Sequence, residues 1–80
     1  MNVRPVESTT LVAIGYDEMR EILQLEFRSR AVYVYFGVPG SVYEALVAAA
    51  SKGRYFNGAI RGHFPHSLIS GTSSSQGGEA

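Results

Sequence analysis

The chain has no cysteine and no tryptophan among its 80 residues. Without thiols, no disulfide can staple a small core and no thiolate can hold a metal. A reducing compartment is therefore permitted, though not required. Net charge is absent too, since seven Lys and Arg balance seven Asp and Glu. A neutral molecule exerts no whole-surface field on nucleic acid or membrane. No apolar run approaches transmembrane length, and the opening MNVRPVESTT lacks the apolar core of a signal peptide. These absences lead us to expect a soluble cytoplasmic protein with no membrane partner.

Acid is also scarce in the second half. Glu7, Asp17, Glu18, Glu21, Glu26 and Glu44 precede residue 45, whereas Lys52, Arg54, Arg61, His63 and His66 follow it before Glu79. A local basic face is compatible with a neutral total. From Ser70 to Ala80 (SGTSSSQGGEA) there is no large apolar residue. Such a stretch cannot bury enough surface to offset its ordering entropy, so we expect a flexible tail over 70–80 and a single domain over 1–69. A domain this small is near the lower limit for a self-sufficient core. With no disulfide or thiolate metal available, self-association is the remaining route to added stability.

The pattern predicts an α+β domain. Residues 10–15 (TLVAIG) read as a first strand, being β-branched and apolar. Tyr16-Asp17-Glu18-Met19 supplies a turn, with Asp17 able to accept from the backbone ahead. From Arg20 to Arg28, Leu23, Leu25 and Phe27 alternate with Gln24, Glu26 and Arg28, the period of a half-solvated antiparallel strand. Ser29-Arg30 forms a tight connection to a third strand, Ala31 to Phe36. On that strand Val32, Val34 and Phe36 share one face, and Tyr33 and Tyr35 the other. The short links predict a three-stranded antiparallel β-meander.

Pro39 fits a helix start, and Ser41…Glu44 has capping-box spacing. The following VYEALVAAASK is alanine-rich and strongly helical, with Val42, Ala45, Leu46 and Ala49 as its apolar stripe. Gly53 stands where a left-handed C-cap is expected. A second helix over Arg54–Arg61 stops at Gly62 and turns Phe56 and Ile60 to the core together. His63 to Ile69 reads as a short terminal strand, which Pro65 confines to a sheet edge. The meander thus packs against a helical pair.

Candidate binding residues cluster after Ala31. If the aliphatic face of the third strand packs on the helices, Tyr33 and Tyr35 stand outside, about 7 Å apart, as a platform for flat rings. The same rings serve equally well as packing in the domain or at an oligomer interface. Asn57 and Arg61 are four apart on the second helix, where an amide and a guanidinium hold phosphate or carboxylate. Lys52 and Arg54 extend that patch. The structural alternative is that Asn57 caps the Gly53 turn and Arg61 pairs with Glu44 or Glu26.

Catalytic signals are missing. Asp17 and Glu18 diverge on their turn, Ser8, Ser41 and Ser51 lack a nucleophile's context, and no phosphate-cradling glycine loop occurs. His63 and His66 are too few to make a tight metal site. We expect no enzyme, no metal and no cofactor.

Several motifs occur in a specific order: Ile14-Gly15-Tyr16-Asp17, Tyr33-Val34-Tyr35, Val38-Pro39…Val42-Tyr43 and Gly53-Arg54-Tyr55-Phe56-Asn57…Ile60-Arg61. Together they resemble the KTSC domain, a small bacterial module found alone or at the C-terminus of some lysyl-tRNA synthetases. The resemblance covers about Ser8 to Phe64. Ser29-Arg30 departs from the family pattern, standing where a glycine is expected. The synthetase context implies RNA binding, either single-stranded or tRNA. On that reading Tyr33 and Tyr35 stack bases while Lys52, Arg54 and Arg61 neutralise phosphates, assisted by Asn57. The alternative is a protein-interaction or homo-oligomerisation module built from the same aromatics and arginines, since interface hot spots favour both residue types. An oligomer holding a small nucleotide at its subunit interface lies between the two.

Overall fold

The computed structural model describes residues 2–70. Five strands form one antiparallel sheet in sequence order: β1 (Asn2–Pro5), β2 (Leu11–Asp17), β3 (Ile22–Phe27), β4 (Val32–Phe36) and β5 (His66–Ser70). Between β4 and β5 the chain forms α1 (Gly40–Ala48) and α2 (Lys52–Tyr55), and α2 runs on into a π-helical turn, Phe56–Ile60. The α+β class and the helical pair are as expected, but the sheet has five strands rather than three. β5 is an edge strand, one residue after Pro65. β1 carries only one large apolar residue of its four, Val3, too little for periodicity to register. β5 ends at Ser70, and the rest of the expected tail, 71–80, lies outside the described residues. No helix among the described residues is long and apolar enough to cross a membrane.

Pairing fixes which face is inside. Leu23 opposes Tyr35 and Leu25 opposes Tyr33, while Ile14 opposes Leu25 and Tyr16 opposes Leu23. Directly paired residues share a face, so the tyrosines of β4 lie on the leucine face, under the helices. Val32, Val34 and Phe36 are the ones turned outward. This reverses the expected outer platform. Both faces of β4 are apolar, so the strand alone does not reveal its phase; the partner's leucines do. The core comprises Leu11, Ile14, Leu23, Leu25, Tyr35, Val38, Leu46, Phe56 and Ile60.

Local signals fared unevenly. The Asp17 carboxylate accepts from the Arg20 amide at 3.2 Å, as turn chemistry predicts, although Tyr16 and Asp17 themselves belong to β2. Tyr16 anchors the start of α1: its hydroxyl donates to the Val38 carbonyl at 2.6 Å, and its ring stacks on Tyr43 at 4.6 Å. The capping box does not form. Extended Pro39 is the N-cap, its carbonyl accepts from Val42 and Tyr43, and Ser41 falls inside the first turn. Gly53 is not a C-cap; it sits buried inside α2, whose N-cap is Ser51, accepting from the Arg54 amide at 3.3 Å. Gly62 does end the helical segment, at φ 79°. Phe56 and Ile60 face the core as expected.

The β3–β4 hairpin shows what the missing glycine does. The Arg30 amide donates to the Phe27 carbonyl and the Phe27 amide to the Ala31 carbonyl, closing a tight loop with Arg30 at φ 75°. A side chain strains this left-handed position, which favours glycine. Replacing Arg30 by Gly is expected to stabilise the domain by about 0.5–1 kcal/mol in urea unfolding. No gain would mean that the arginine's own contacts offset the strain.

Candidate functional site

The reversed phase of β4 turns the tyrosines into the wall of a cleft. It is about 470 Å³ in volume and lies between β4, the adjoining edge of β5, the β3–β4 hairpin and the π-helical turn. Phe27, Tyr33, Tyr35, Phe56 and His66 make its aromatic lining, and Arg61 lies at its margin. Ring contacts run continuously through it. His66 stacks on Tyr35 at 5.4 Å and meets Tyr33 edge-on at 5.6 Å. Tyr33 meets Phe27 edge-on at 5.8 Å, and Phe56 bridges Phe27 at 5.3 Å and Tyr35 at 5.7 Å. Such a contiguous aromatic set holds its shape through packing rather than through a loop.

The two tyrosines divide the work. Tyr35 is only 4% exposed and belongs to the core, whereas Tyr33 is half-buried and presents part of its ring to the cleft. Burial raises the Tyr35 hydroxyl pKa above its ordinary value, and Tyr33 adds to the rise while Arg61 opposes it. Arg61 and Tyr35 line the same cleft. The Arg61 Nη1 donates to the Asn57 Oδ1 over a long 3.4 Å, so these two residues share a face as their spacing predicts. Neither expected structural alternative occurs. The N-cap of α2 is Ser51 rather than Asn57, and the ion pair among the described residues is Arg20–Asp17, not one of Arg61.

The remaining predicted residues do not join this cleft. Lys52 begins α2 and lines a separate cavity, and Arg54 is exposed and lines neither. One continuous basic patch beside the tyrosines is therefore not formed. His66 and Phe27 are the residues that sequence reasoning missed. His66 enters because it pairs with Tyr35 across β4 and β5, a register that no local pattern encodes. No carboxylate of the described residues lines the cleft. Chemically, it suits a flat ring, held by aromatic edges and faces, that carries an anionic group toward Arg61. A cationic ring or methylammonium would meet the guanidinium's repulsion. Among the described residues no group of three or more His, Asp or Glu is placed to hold a metal.

Comparison with known proteins places this architecture. A crystal structure of a KTSC domain protein from Yersinia pestis superposes with a TM-score of 0.84 at 38% identity, covering 86% of this chain and 97% of that one. A protein from Tsukamurella paurometabola is 44% identical over 62 residues, 78% of this chain and 92% of its own length. A lysine–tRNA ligase from Nostoc punctiforme is 41% identical over 64 residues, 80% of this chain but only 11% of the ligase. This fold therefore occurs both as nearly a whole small protein and as a small part of a synthetase. The family model of the KTSC domain matches residues 7–64, and the chain belongs to that family.

Proposed function

We propose that the protein is a non-catalytic module that binds single-stranded RNA, taking one unstacked base into the aromatic cleft with the adjoining phosphate on Arg61. The observation that carries this reading is the cleft itself: among the described residues it is lined by five aromatic rings and one guanidinium, with no carboxylate. Every base offers a π-face, so such a site is tolerant of sequence, and base–aromatic stacking contributes about 1–3 kcal/mol per base. One base and few phosphates support only micromolar or weaker binding. The similarity to a segment of lysine–tRNA ligases makes tRNA a natural source of the strand. A cytoplasmic location follows from the same reading.

The test is an amide NMR titration of the full chain with a mixed-sequence single-stranded RNA, at low and then physiological salt. Shifts should centre on Tyr33, Arg61 and His66 and weaken as salt rises. In Arg61→Ala the slope of log affinity against log salt should fall by about 0.7–1, the signature of one lost phosphate contact. An absence of shifts even at low salt rules RNA out.

Self-association is a second reading, resting on a different surface. The outward face of the sheet carries Ile22, Val32, Val34 and Phe36, the last 39% exposed, and no described helix lies over it. Shifts confined to that face, growing with protein rather than RNA concentration, would favour it instead.

A further inference from the structure

At the other end of the helical segment lies a second, more polar cavity of about 710 Å³. It is lined by Glu7, Ser8, Thr9, Arg28, Ser51 and Lys52, with Val6 and Ala50 behind them. None of these residues lines the aromatic cleft. The turn from β1 to β2, the β3–β4 hairpin and the start of α2 converge here. Its hydrogen-bonding inventory is lopsided in an informative way.

Both serine oxygens already serve as acceptors. Ser8 Oγ receives the amides of Thr10 at 3.1 Å and Leu11 at 3.2 Å, which occupies both lone pairs and leaves its O–H as a donor. Ser51 Oγ receives the Arg54 amide, so its proton also points elsewhere. Arg28 is fixed by its Nε, which donates to the Ser8 carbonyl at 2.7 Å, and this leaves the guanidinium's outer N–H groups available. Lys52 Nζ donates once, to the Ala49 carbonyl at 3.1 Å, and keeps two of its donors. Among the described residues neither cation has an ion-pair partner, the ion pair there being Arg20–Asp17. Two cations and two hydroxyl donors thus face a shared space against one exposed carboxylate, Glu7.

A site rich in donors and positive charge is matched by a ligand made of acceptors and negative charge. Phosphate is that ligand, with acceptor-only oxygens that take charge-assisted bonds from Lys and Arg. We propose that this cavity is a phosphate subsite. The identity of its natural phosphate rests on the RNA reading: a backbone phosphate of the strand whose base occupies the cleft. The two sites flank one rigid element. Ser51 and Lys52 begin the helical segment whose end carries Arg61, roughly 13 Å away at the helical rise per residue. The β3–β4 hairpin joins them again, with Arg28 in the cavity and Phe27 and Ser29 in the cleft. A strand running along this segment would be held at both ends, which fixes its direction as well as its affinity.

The decisive experiment titrates the labelled full chain with inorganic phosphate and, separately, with single-stranded RNA, against sodium chloride at matched ionic strength. Saturable phosphate shifts at the amides of Ser8, Thr9, Ser51 and Lys52 are expected, beyond any that chloride causes. Lys52→Gln should weaken them about tenfold, and Lys52→Arg should keep them. If RNA moves the same amides together with those of Tyr33 and His66, the two-point hold is supported. If phosphate does so and RNA moves nothing, the subsite belongs to a small phosphate and the RNA reading fails alone. RNA shifts at the cleft with none from phosphate or RNA at the cavity overturn this inference and leave the RNA reading intact. Chloride shifts of equal size also overturn it.

Discussion

Replacing Tyr35 by alanine is expected to unfold much of the protein, whereas replacing Tyr33 should leave it folded and weaken its hold on RNA. The difference is burial. Tyr35 is 4% exposed, opposes the fully buried Leu23, and packs on Phe56 at 5.7 Å and on His66. Truncating a buried aromatic to alanine costs about 3–5 kcal/mol, from lost transfer energy and from the cavity left behind. A domain of this size has roughly 4–12 kcal/mol in total, so Tyr35→Ala removes a large share of it. Tyr33 is half-buried at the edge of the same cluster, and its truncation should cost about 1–2 kcal/mol of stability. Losing its ring from the cleft should weaken RNA binding by roughly 5–150-fold, the equivalent of one stacked base. Thermal melting followed by circular dichroism, together with RNA titration of both variants, tests the pair. A Tyr35→Ala protein melting within a few degrees of the parent would show that the core does not depend on that ring. A Tyr33→Ala protein binding RNA as tightly as the parent would remove the stacking role.

Gly53→Ala should destabilise the protein by about 1–3 kcal/mol, against the usual preference of helices for alanine. In an exposed helix the exchange would gain about 1 kcal/mol. Here Gly53 is buried inside α2, and a Cβ at that position would collide with the Thr10 hydroxyl. Turning the hydroxyl away offers no escape, because the Thr10 Cβ would still lie 3.0 Å from the new carbon. Thr10 precedes β2, and its carbonyl accepts from the Arg28 amide at 3.0 Å, so it cannot retreat without loosening the sheet. Overpacking of this kind typically costs about 1–3 kcal/mol and outweighs propensity. Urea unfolding should show a lower midpoint with an unchanged slope, and Thr10→Ala in the same chain should restore part of the loss. A Gly53→Ala protein more stable than the parent would mean that α2 can lift from the sheet at no cost.

Gly53 also illustrates how far the sequence could be read. A glycine after an alanine-rich helix has the local chemistry of a left-handed cap, and nothing near it in sequence says otherwise. The reason it is glycine lies on another element, at Thr10. The Ser41…Glu44 spacing failed for a related reason, since Pro39 starts the helix early enough to place Ser41 inside its first turn. Where the deciding contact is local, the reading held. Asp17 makes its turn bond, Phe56 and Ile60 share the core, and Asn57 and Arg61 meet across one helical turn.

The candidate site divides along the same line. The ordered motifs around Tyr33-Val34-Tyr35 and Gly53–Arg61 were enough to identify the family, and the periods of two and 3.6 residues were enough for the α+β class. The sequence by itself determined which residues are aromatic, which are basic, and that Leu23 and Leu25 face inward. Only the tertiary structure decided that Tyr33 and Tyr35 lie on that same inner face, because register between strands, not pattern within one, sets the phase of a strand apolar on both sides. It also brought His66 against Tyr35 across the sheet and set Phe27 and Arg61 around one cleft. Those are long-range distances, and a chain reveals them only once its strands have paired.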